Sequence, residues 1–243
     1  MRIDRFLVRS NTASRKDAKG LIRAKRVTVN GEIIENSNIK VDYQKDIICL
    51  DEIEIEYKEF VYLMLNKPKG CISATKDDRH KTVIDLVPDF SHYDLHPIGR
   101  LDIDTEGLLI LTNDGKLTHN IISPKKHIPK TYYAKLRETI TDDAINLFKE
   151  GITLHDGYKC MTADLKIITD REIELIIFEG KFHQVKRMFK ALENEVVYLK
   201  RIKMNNLELD PSLKLGRYKE LTTEELKLLS EWFIMCLLAG TSD

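Results

Sequence analysis

In the stretch GRLDIDTEGLLILTNDG, residues 99–115, three acids (Asp102, Asp104 and Glu106) fall within five positions, and an apolar run follows at once. Three chemistries use carboxylates at such spacing. Asp-x-Asp-x-Glu-Gly copies the opening of a calcium loop, with oxygen ligands at alternate positions and a glycine at the bend. The copy then fails, because the ninth position is Ile110 and the twelfth, which should be a bidentate glutamate, is Asn113. LLILT followed by Asn113-Asp114-Gly115 also reads as a strand ending in a tight turn, not as a loop between helices. A glycosidase pair needs two carboxylates about 5 to 10 Å apart across a sugar, and no aromatic cluster lies nearby to stack sugar rings. One reactive carboxylate remains. Arg100 stands two residues before Asp102 at the entrance to the apolar strand, and an acid beside an arginine stays ionised and can serve as nucleophile or base. The same residues suit a salt bridge closing a strand end, and by themselves they favour that plainer role.

The rest of the chain must hold that carboxylate. Among 243 residues, 39 Lys and Arg balance 39 Asp and Glu, with 32% charged and 42% hydrophobic residues, enough for one large domain or a small one and a medium one. Cys49, Cys71, Cys160 and Cys236 lie far apart without a CxxC, which argues against a compact zinc site and suits reduced, mostly buried thiols in a cytoplasmic protein. Met1 is followed directly by charged residues, so no secretory leader is expected. The longest apolar run, FIMCLLAG at 233–240, is well short of the ~20 residues of a membrane helix. It reads as the end of a packed helix or an apolar tail, and no membrane partner is expected.

Net charge is zero, but its distribution is uneven. Residues 1–30 carry nine Arg and Lys against Asp4 and Asp17, whereas 31–58 carry eight acids and three lysines. Ile3, Phe6 and Leu7, then Ala18, Leu21 and Ile22, recur at helical spacing, and Ser14 with Asp17 makes an imperfect capping box. RVTVNGEII alternates on either side of Asn30-Gly31, a strong hairpin signal, and IICLDEIEIEY reads as one more strand leaving the module. Arg15, Lys16, Lys19, Arg23, Lys25 and Arg26 cannot all be buried, and positions 15, 19, 23 and 26 fall on one helical face. Such a face, with few compensating acids and a hairpin behind it, suits RNA phosphates through counterion release; a merely solvated charge run is the plainer alternative. The run SRKDAKGLIRAKRVTVNGEII resembles the S4 RNA-binding domain, in which a helix pair and a hairpin form the RNA-binding surface.

The S4-like part is placed at 1–58. A second part, 60–243, opens with VYLMLNKPKG, an apolar strand followed by the turn Asn66-Lys67-Pro68-Lys69-Gly70. LLILT, TYYAKL, DLKIIT and EIELIIF read as strands, TDDAINLFKEG and HQVKRMFKALEN as helices, without a regular βαβ beat. This predicts an α+β fold with a mixed, largely antiparallel sheet. In HQVKRMFKALEN, Val185, Met188, Phe189 and Leu192 form an apolar stripe opposite His183, Lys186, Arg187 and Lys190. Thr222 with Glu225 makes a second capping box, predicting a final helix through about Phe233.

GRLDIDTEGLLILTNDG resembles the signature G-R-L-D-x-x-T-x-G-L-L of the RsuA/RluA superfamily of pseudouridine synthases, matched at Gly99, Arg100, Leu101, Asp102, Thr105, Gly107 and Leu108. PKTYYAKL and EGKFHQVKRM resemble two further motifs of that superfamily, in the same order. With the S4-like part, the resemblance spans nearly the whole chain apart from its C-terminal tail. It implies isomerisation of uridine to pseudouridine in RNA: the N1–C1′ bond breaks, the base rotates, C5 joins C1′ and the C5 proton leaves. That chemistry needs no redox step, and no metal or cofactor is expected.

Carried over by motif position, the resemblance makes Asp102 the catalytic nucleophile or base. Tyr132 packs on the flipped uracil, with Tyr133 the alternative by register, and Lys186 pairs with Asp102. Arg100 helps displace the target base, Ile176 or Ile177 supplies an apolar contact beneath it, and Arg187 and Lys190 are placed to meet phosphate. In the S4-like part, Arg15, Lys16, Lys19, Arg23 and Arg26 are the expected RNA contacts. His183 is expected to be a helix-start hydrogen bonder. Asp104 and Glu106 match no signature position and are expected to be solvated bystanders. The stretches from 119 and from 179 look most like the RsuA branch, which modifies one uridine of 16S ribosomal RNA, of the position-516 type. The expected partner is therefore small-subunit ribosomal RNA or the assembling 30S particle, met by a monomer. A large-subunit rRNA synthase and a non-catalytic assembly factor are the alternatives.

Overall fold

The computed structural model describes residues 1–230; the run 233–240, Cys236 and the expected helix end at Phe233 lie outside them. The chain divides into two compact units, Met1–Phe60 and Val61–Asp243.

In the first unit, α1 (Ile3–Arg9) and α2 (Arg15–Arg23) precede β1 (Val27–Val29), β2 (Glu32–Ile33), β3 (Ile48–Leu50) and β4 (Ile53–Glu54), which pair antiparallel in the order β2-β1-β3-β4. Ser14 caps α2, its hydroxyl accepting the Asp17 N–H at 3.2 Å. Asn30 and Gly31 take φ of 52° and 85°, the left-handed pair that a two-residue hairpin turn requires. Ile3, Phe6, Leu7, Ala18, Ile22, Val27 and Ile48 form the core. Two expectations are corrected. IICLDEIEIEY is not one strand but a second hairpin, because Asp51 and Glu52 adopt φ of 50° and 69° and fold β4 back on β3. The basic face is shorter than expected, since α2 stops at Arg23 and Lys25 turns left-handed at φ 60°. Arg26 consequently leaves the helical register and pairs with Asp51, while Lys25 pairs with Glu35 at 2.6 Å. Arg15, Lys16, Lys19 and Arg23 stand exposed on α2.

The second unit runs β5 (Tyr62–Lys67), β6 (His96–Pro97), β7 (Glu106–Thr112), α3 (Gly115–Ile122), β8 (Lys130–Leu136), α4 (Asp143–Glu150), β9 (Asp164–Ile167), β10 (Glu172–Ile177), α5 (Gln184–Ala191), β11 (Val196–Met204), β12 (Leu207–Glu208), β13 (Tyr218–Glu220) and α6 (Thr223–Ser230). One sheet, ordered β13-β5-β7-β11-β8-β10-β9, organises it, with β6 on β7 and β12 on β11. Every pairing is antiparallel except β7 with β11, so the sheet is mixed and the fold α+β.

Both faces of the central strands are covered. Leu109 and Leu111 of β7 join Leu63, Leu65, Phe148, Met188 and Phe189 on one side. Leu108 and Ile110 join Met64, Ile121, Met204 and Leu229 on the other. Two-sided burial is why EGLLILT lacks polar alternation, and each fully buried Leu or Phe contributes ~1.5–3 kcal/mol relative to exposure. The strand β11, whose charged residues hide it in the sequence, sits at the centre between β7 and β8. Asn66 and Lys67 end β5 instead of beginning a turn. Asp114 likewise closes no tight turn: its carboxylate accepts the N–H groups of Lys116 and Leu117 and caps α3. The Thr222–Glu225 box is present, with reciprocal bonds of 2.9 and 3.2 Å. Cys71 and Cys160 are buried free thiols and Cys49 is half-buried. Among the described residues no helix is long and apolar enough to cross a membrane.

Candidate active site

Asp102 lies between β6 and β7 in a segment clamped from beneath. The fully buried Lys67 donates from Nζ to the carbonyl oxygens of Pro68 (3.1 Å), Asp102 (3.0 Å) and Thr105 (2.9 Å). Burial pushes its ammonium below the ordinary lysine value, and three carbonyl dipoles take the place of water. The Ser73 hydroxyl donates to the Leu101 carbonyl at 2.8 Å and accepts the Leu101 N–H at 3.0 Å. The Gly70 N–H reaches the Ile103 carbonyl at 2.7 Å. The backbone on both sides of Asp102 is thus held. Lys67→Met leaves three inward carbonyls without their donor and is expected to lower unfolding stability by about 3 kcal/mol. Chemical denaturation checks this, and an unchanged midpoint contradicts the clamp.

The helix α5 brings the cation. Lys186 Nζ lies 3.1 Å from Asp102 Oδ2 and 2.5 Å from Asp104 Oδ1, and His183 Nε2 lies 3.6 Å from Asp102 Oδ1. Asp104 is therefore no bystander. Burial works to raise its carboxyl, but the hydrogen bond and charge of Lys186 outweigh burial and hold it below the ordinary carboxylate range. Asp104 is exposed as expected, but Glu106 is not solvated: it is buried on β7 and accepts the Tyr198 hydroxyl at 2.8 Å, because β7 is covered on both faces. Of the three carboxylates that resembled a calcium loop, Asp102 and Asp104 share Lys186, and Glu106 turns away to Tyr198. His183 precedes α5 in a left-handed conformation (φ 48°) with no side-chain cap bond. Its ring instead stacks on Phe182 with centroids 3.7 Å apart, which corrects the helix-start role.

A residue missed in the sequence aims this helix. Glu179 is buried and accepts the Tyr158 hydroxyl (2.6 Å), the Met161 N–H (2.9 Å) and the Gln184 side-chain amide (2.9 Å). Gln184 Oε1 in turn accepts the Lys181 N–H at 2.9 Å. The Glu-Gly step before a helical stripe was the available signal. Val185, Met188 and Phe189 are buried as the stripe requires, and Leu192 packs against them half-buried. Arg187 is bound to Asp156 and to the Phe182 carbonyl (3.4 Å), so it braces the loop before α5 rather than standing open to phosphate. Lys190 is exposed.

An open cleft of about 420 Å³, counting its mouth, is lined by Arg100, Leu101, Asp102, Thr105, Tyr132, Ile177, Gly180, Lys181, His183, Gln184, Val185 and Leu199. Tyr132 and Ile177 line it on neighbouring strands β8 and β10. Tyr133 points to the other face, packed edge-on against Tyr198 at 6.0 Å. Of the pair Ile176 and Ile177, the cleft takes Ile177. Beside Tyr132, as its cross-strand partner on β11, lies Arg201, fully buried, its Nε donating to the Leu108 carbonyl at 2.8 Å. Burial lowers the Arg201 pKa and its interaction with the Tyr132 hydroxyl opposes that. Burial, together with the charge of Arg201, also pushes the neighbouring Lys130 down to about 8. An apolar floor with an ionised edge can take a flat, uncharged ring bearing a polar rim. The four exposed cations of α2 belong to the first unit and are not cleft residues.

Known proteins resemble this chain. Residues 61–191 match the RNA pseudouridylate synthase family and residues 1–48 the S4 domain. An uncharacterized RNA pseudouridine synthase of Bacillus subtilis (strain 168) is 45% identical over 236 residues, 95% of this chain and 99% of that protein. The ribosomal small subunit pseudouridine synthase A of Escherichia coli (strain K12) is 40% identical over 228 residues, 93% of this chain and 98% of that one. A pseudouridylate synthase crystal structure matches with TM-score 0.67 at 37% identity, covering 94% of this chain and 99% of its own. With the family match running from β5 through α5 and taking in the clamp and every cleft residue but Leu199, and these likenesses running nearly end to end, the chain belongs to the RNA pseudouridylate synthase family and carries an S4 domain ahead of its synthase domain.

Proposed function

We propose that the protein converts one uridine of small-subunit ribosomal RNA to pseudouridine, with Asp102 as the reactive carboxylate. It acts as a cytoplasmic monomer on the free RNA or the assembling particle. The observation that carries this reading is the Asp102–Lys186 pair at 3.1 Å on the edge of a cleft floored by Tyr132 and Ile177. The small-subunit substrate follows the relatives named for it.

A uridine in a helix or stacked loop must first be extruded, at a cost of a few kcal/mol. Arg100, exposed at the cleft rim, fills the vacated position, and backbone contacts elsewhere offset the unstacking. Tyr132 packs on the uracil and Ile177 supports it from beneath. Lys186 pairs with the Asp102 carboxylate and holds it at the cleft edge. The carboxylate attacks C1′ or removes a sugar proton; either route breaks N1–C1′, after which the base turns, C5 bonds to C1′ and the C5 proton departs. Atoms balance without any added reagent.

Tritium release from RNA carrying 5-tritiated uridine tests this reading. Release is expected from small-subunit rRNA, at one mapped position. Release from large-subunit rRNA alone moves the protein to another branch. Binding without release from either makes it a non-catalytic binder.

The S4 domain contributes affinity through α2, where Asp17, the one acid of the helix, is tied to Ser14. Arg15→Glu with Lys19→Glu and Arg23→Glu is expected to weaken rRNA binding. It should also flatten log K against log salt by about 2 to 3, at ~0.7–0.9 for each phosphate no longer neutralised. Arg26 is left out because Asp51 holds it. A binding isotherm at several salt concentrations checks this, and an unchanged slope removes α2 from the RNA surface.

A further inference from the structure

Phe182 stands out in the second unit. Its side chain is 75% exposed, the highest value among the large hydrophobic residues of the described chain. It is nevertheless not a loose side chain. Its ring stacks on the imidazole of His183 with centroids 3.7 Å apart and planes 19° from parallel. The same His183 places Nε2 3.6 Å from the Asp102 carboxylate and lines the cleft.

The loop that carries Phe182 is braced on both sides. The Lys181 N–H bonds Gln184 Oε1 at 2.9 Å, and the Gln184 N–H returns to the Lys181 carbonyl at 3.1 Å. Arg187 donates to the Phe182 carbonyl while paired with Asp156. Lys181 itself rests over the Tyr158 ring at 4.8 Å. An apolar ring this exposed, held this firmly, beside an ionised cleft, is built to be covered by something flat.

We propose that Phe182, backed by His183, is a stacking platform for the nucleobase next to the extruded uridine; this rests on the uridine-modifying reading above. Extrusion deprives the neighbouring bases of a stacking partner. An aromatic face set at the cleft rim returns one, and because phenylalanine offers no hydrogen bond, it accepts purine or pyrimidine alike. Lys181 and Arg100 on the same rim are cations that suit the backbone on either side of that base. The platform also keeps His183 in place beside Asp102, so a stacked neighbour and a seated uridine go together.

The test is a cycle between protein and RNA. The nucleotide on each side of the modified uridine is replaced in turn by an abasic residue, and tritium release and Kd are measured for wild type, Phe182→Ala and Phe182→Trp. Phe182→Ala is expected to lower kcat/KM about tenfold on intact RNA, the scale of removing one base–aromatic stack, with Phe182→Trp close to wild type. One abasic position should lower wild type to the Phe182→Ala level and leave Phe182→Ala unchanged. Because the side chain is exposed, the melting temperature should hold, which separates the effect from misfolding. Equal kcat/KM and equal Kd for Phe182→Ala and wild type, or an abasic penalty the same for both, overturns the platform. If wild type releases no tritium from any rRNA, the enzymatic reading falls on its own, and the platform is then decided by Kd for small-subunit rRNA, where no change in Phe182→Ala overturns it.

Discussion

Asp102→Asn is expected to cut tritium release from small-subunit rRNA by about 10³-fold or more, the scale of removing a nucleophile or its equivalent base, with folding and RNA affinity intact. The substitution keeps the shape of the side chain and removes only its charge. It does not orphan Lys186, because Asp104 already holds that ammonium at 2.5 Å. Nor does it disturb the clamp, since Lys67 and Thr105 grip the Asp102 carbonyl and not its side chain. A loss of rate with unchanged denaturation midpoint and unchanged Kd therefore assigns the chemistry to the carboxylate. Single-turnover release, filter binding and denaturation on the same preparation make the check. Release within tenfold of wild type would falsify the role of Asp102.

The largest stability effect is expected at Gly107→Ala, five residues further along, on β7. Gly107 sits at φ 101° against the parallel partner strand, opposite Arg201. A Cβ there would stand 2.2 Å from the Arg201 carbonyl oxygen and 2.9 Å from its nitrogen. Neither atom is the end of a flexible side chain, so β7 and β11 must separate. With the unfavourable φ added, the loss should reach about 4 kcal/mol or more. The same movement shifts Arg201 beside Tyr132, so surviving protein should also lose activity. Gly115→Ala is the control: a Cβ at Gly115 meets nothing within 4 Å and its backbone is ordinary helix, so its midpoint should stay within about 0.5 kcal/mol of wild type. A Gly107→Ala protein as stable as that control refutes the close approach of the two strands.

Several features were legible because they are local. The Asn30-Gly31 hairpin, the Ser14 and Thr222 caps and the apolar stripe of α5 are each decided within a few residues by backbone preference and hydrogen bonding, and a reader of the chain meets all the parties at once. Asp102 of GRLD was singled out only through resemblance, since the residues alone favoured a strand-end salt bridge. The two failures in the first unit share a reason. The shortened basic face turned on one left-handed residue, Lys25, and the second hairpin on two, Asp51 and Glu52, none of them a glycine.

By itself, then, the sequence determined the α+β class and most of the strands and helices. It did so because period and capping are written residue by residue. Only the tertiary structure decided which side chains meet. It placed Lys67 under the carbonyls of the Asp102 segment, shared Lys186 between Asp102 and Asp104, turned Glu106 inward to Tyr198, and chose Tyr132 over Tyr133 by sheet register. It set Arg201 from an unread central strand beside that tyrosine. These partners stand far apart along the chain, and a charged residue looks the same in a sequence whether it ends in water or in the middle of a sheet. Its partner, and so its role, exists only once the strands have paired.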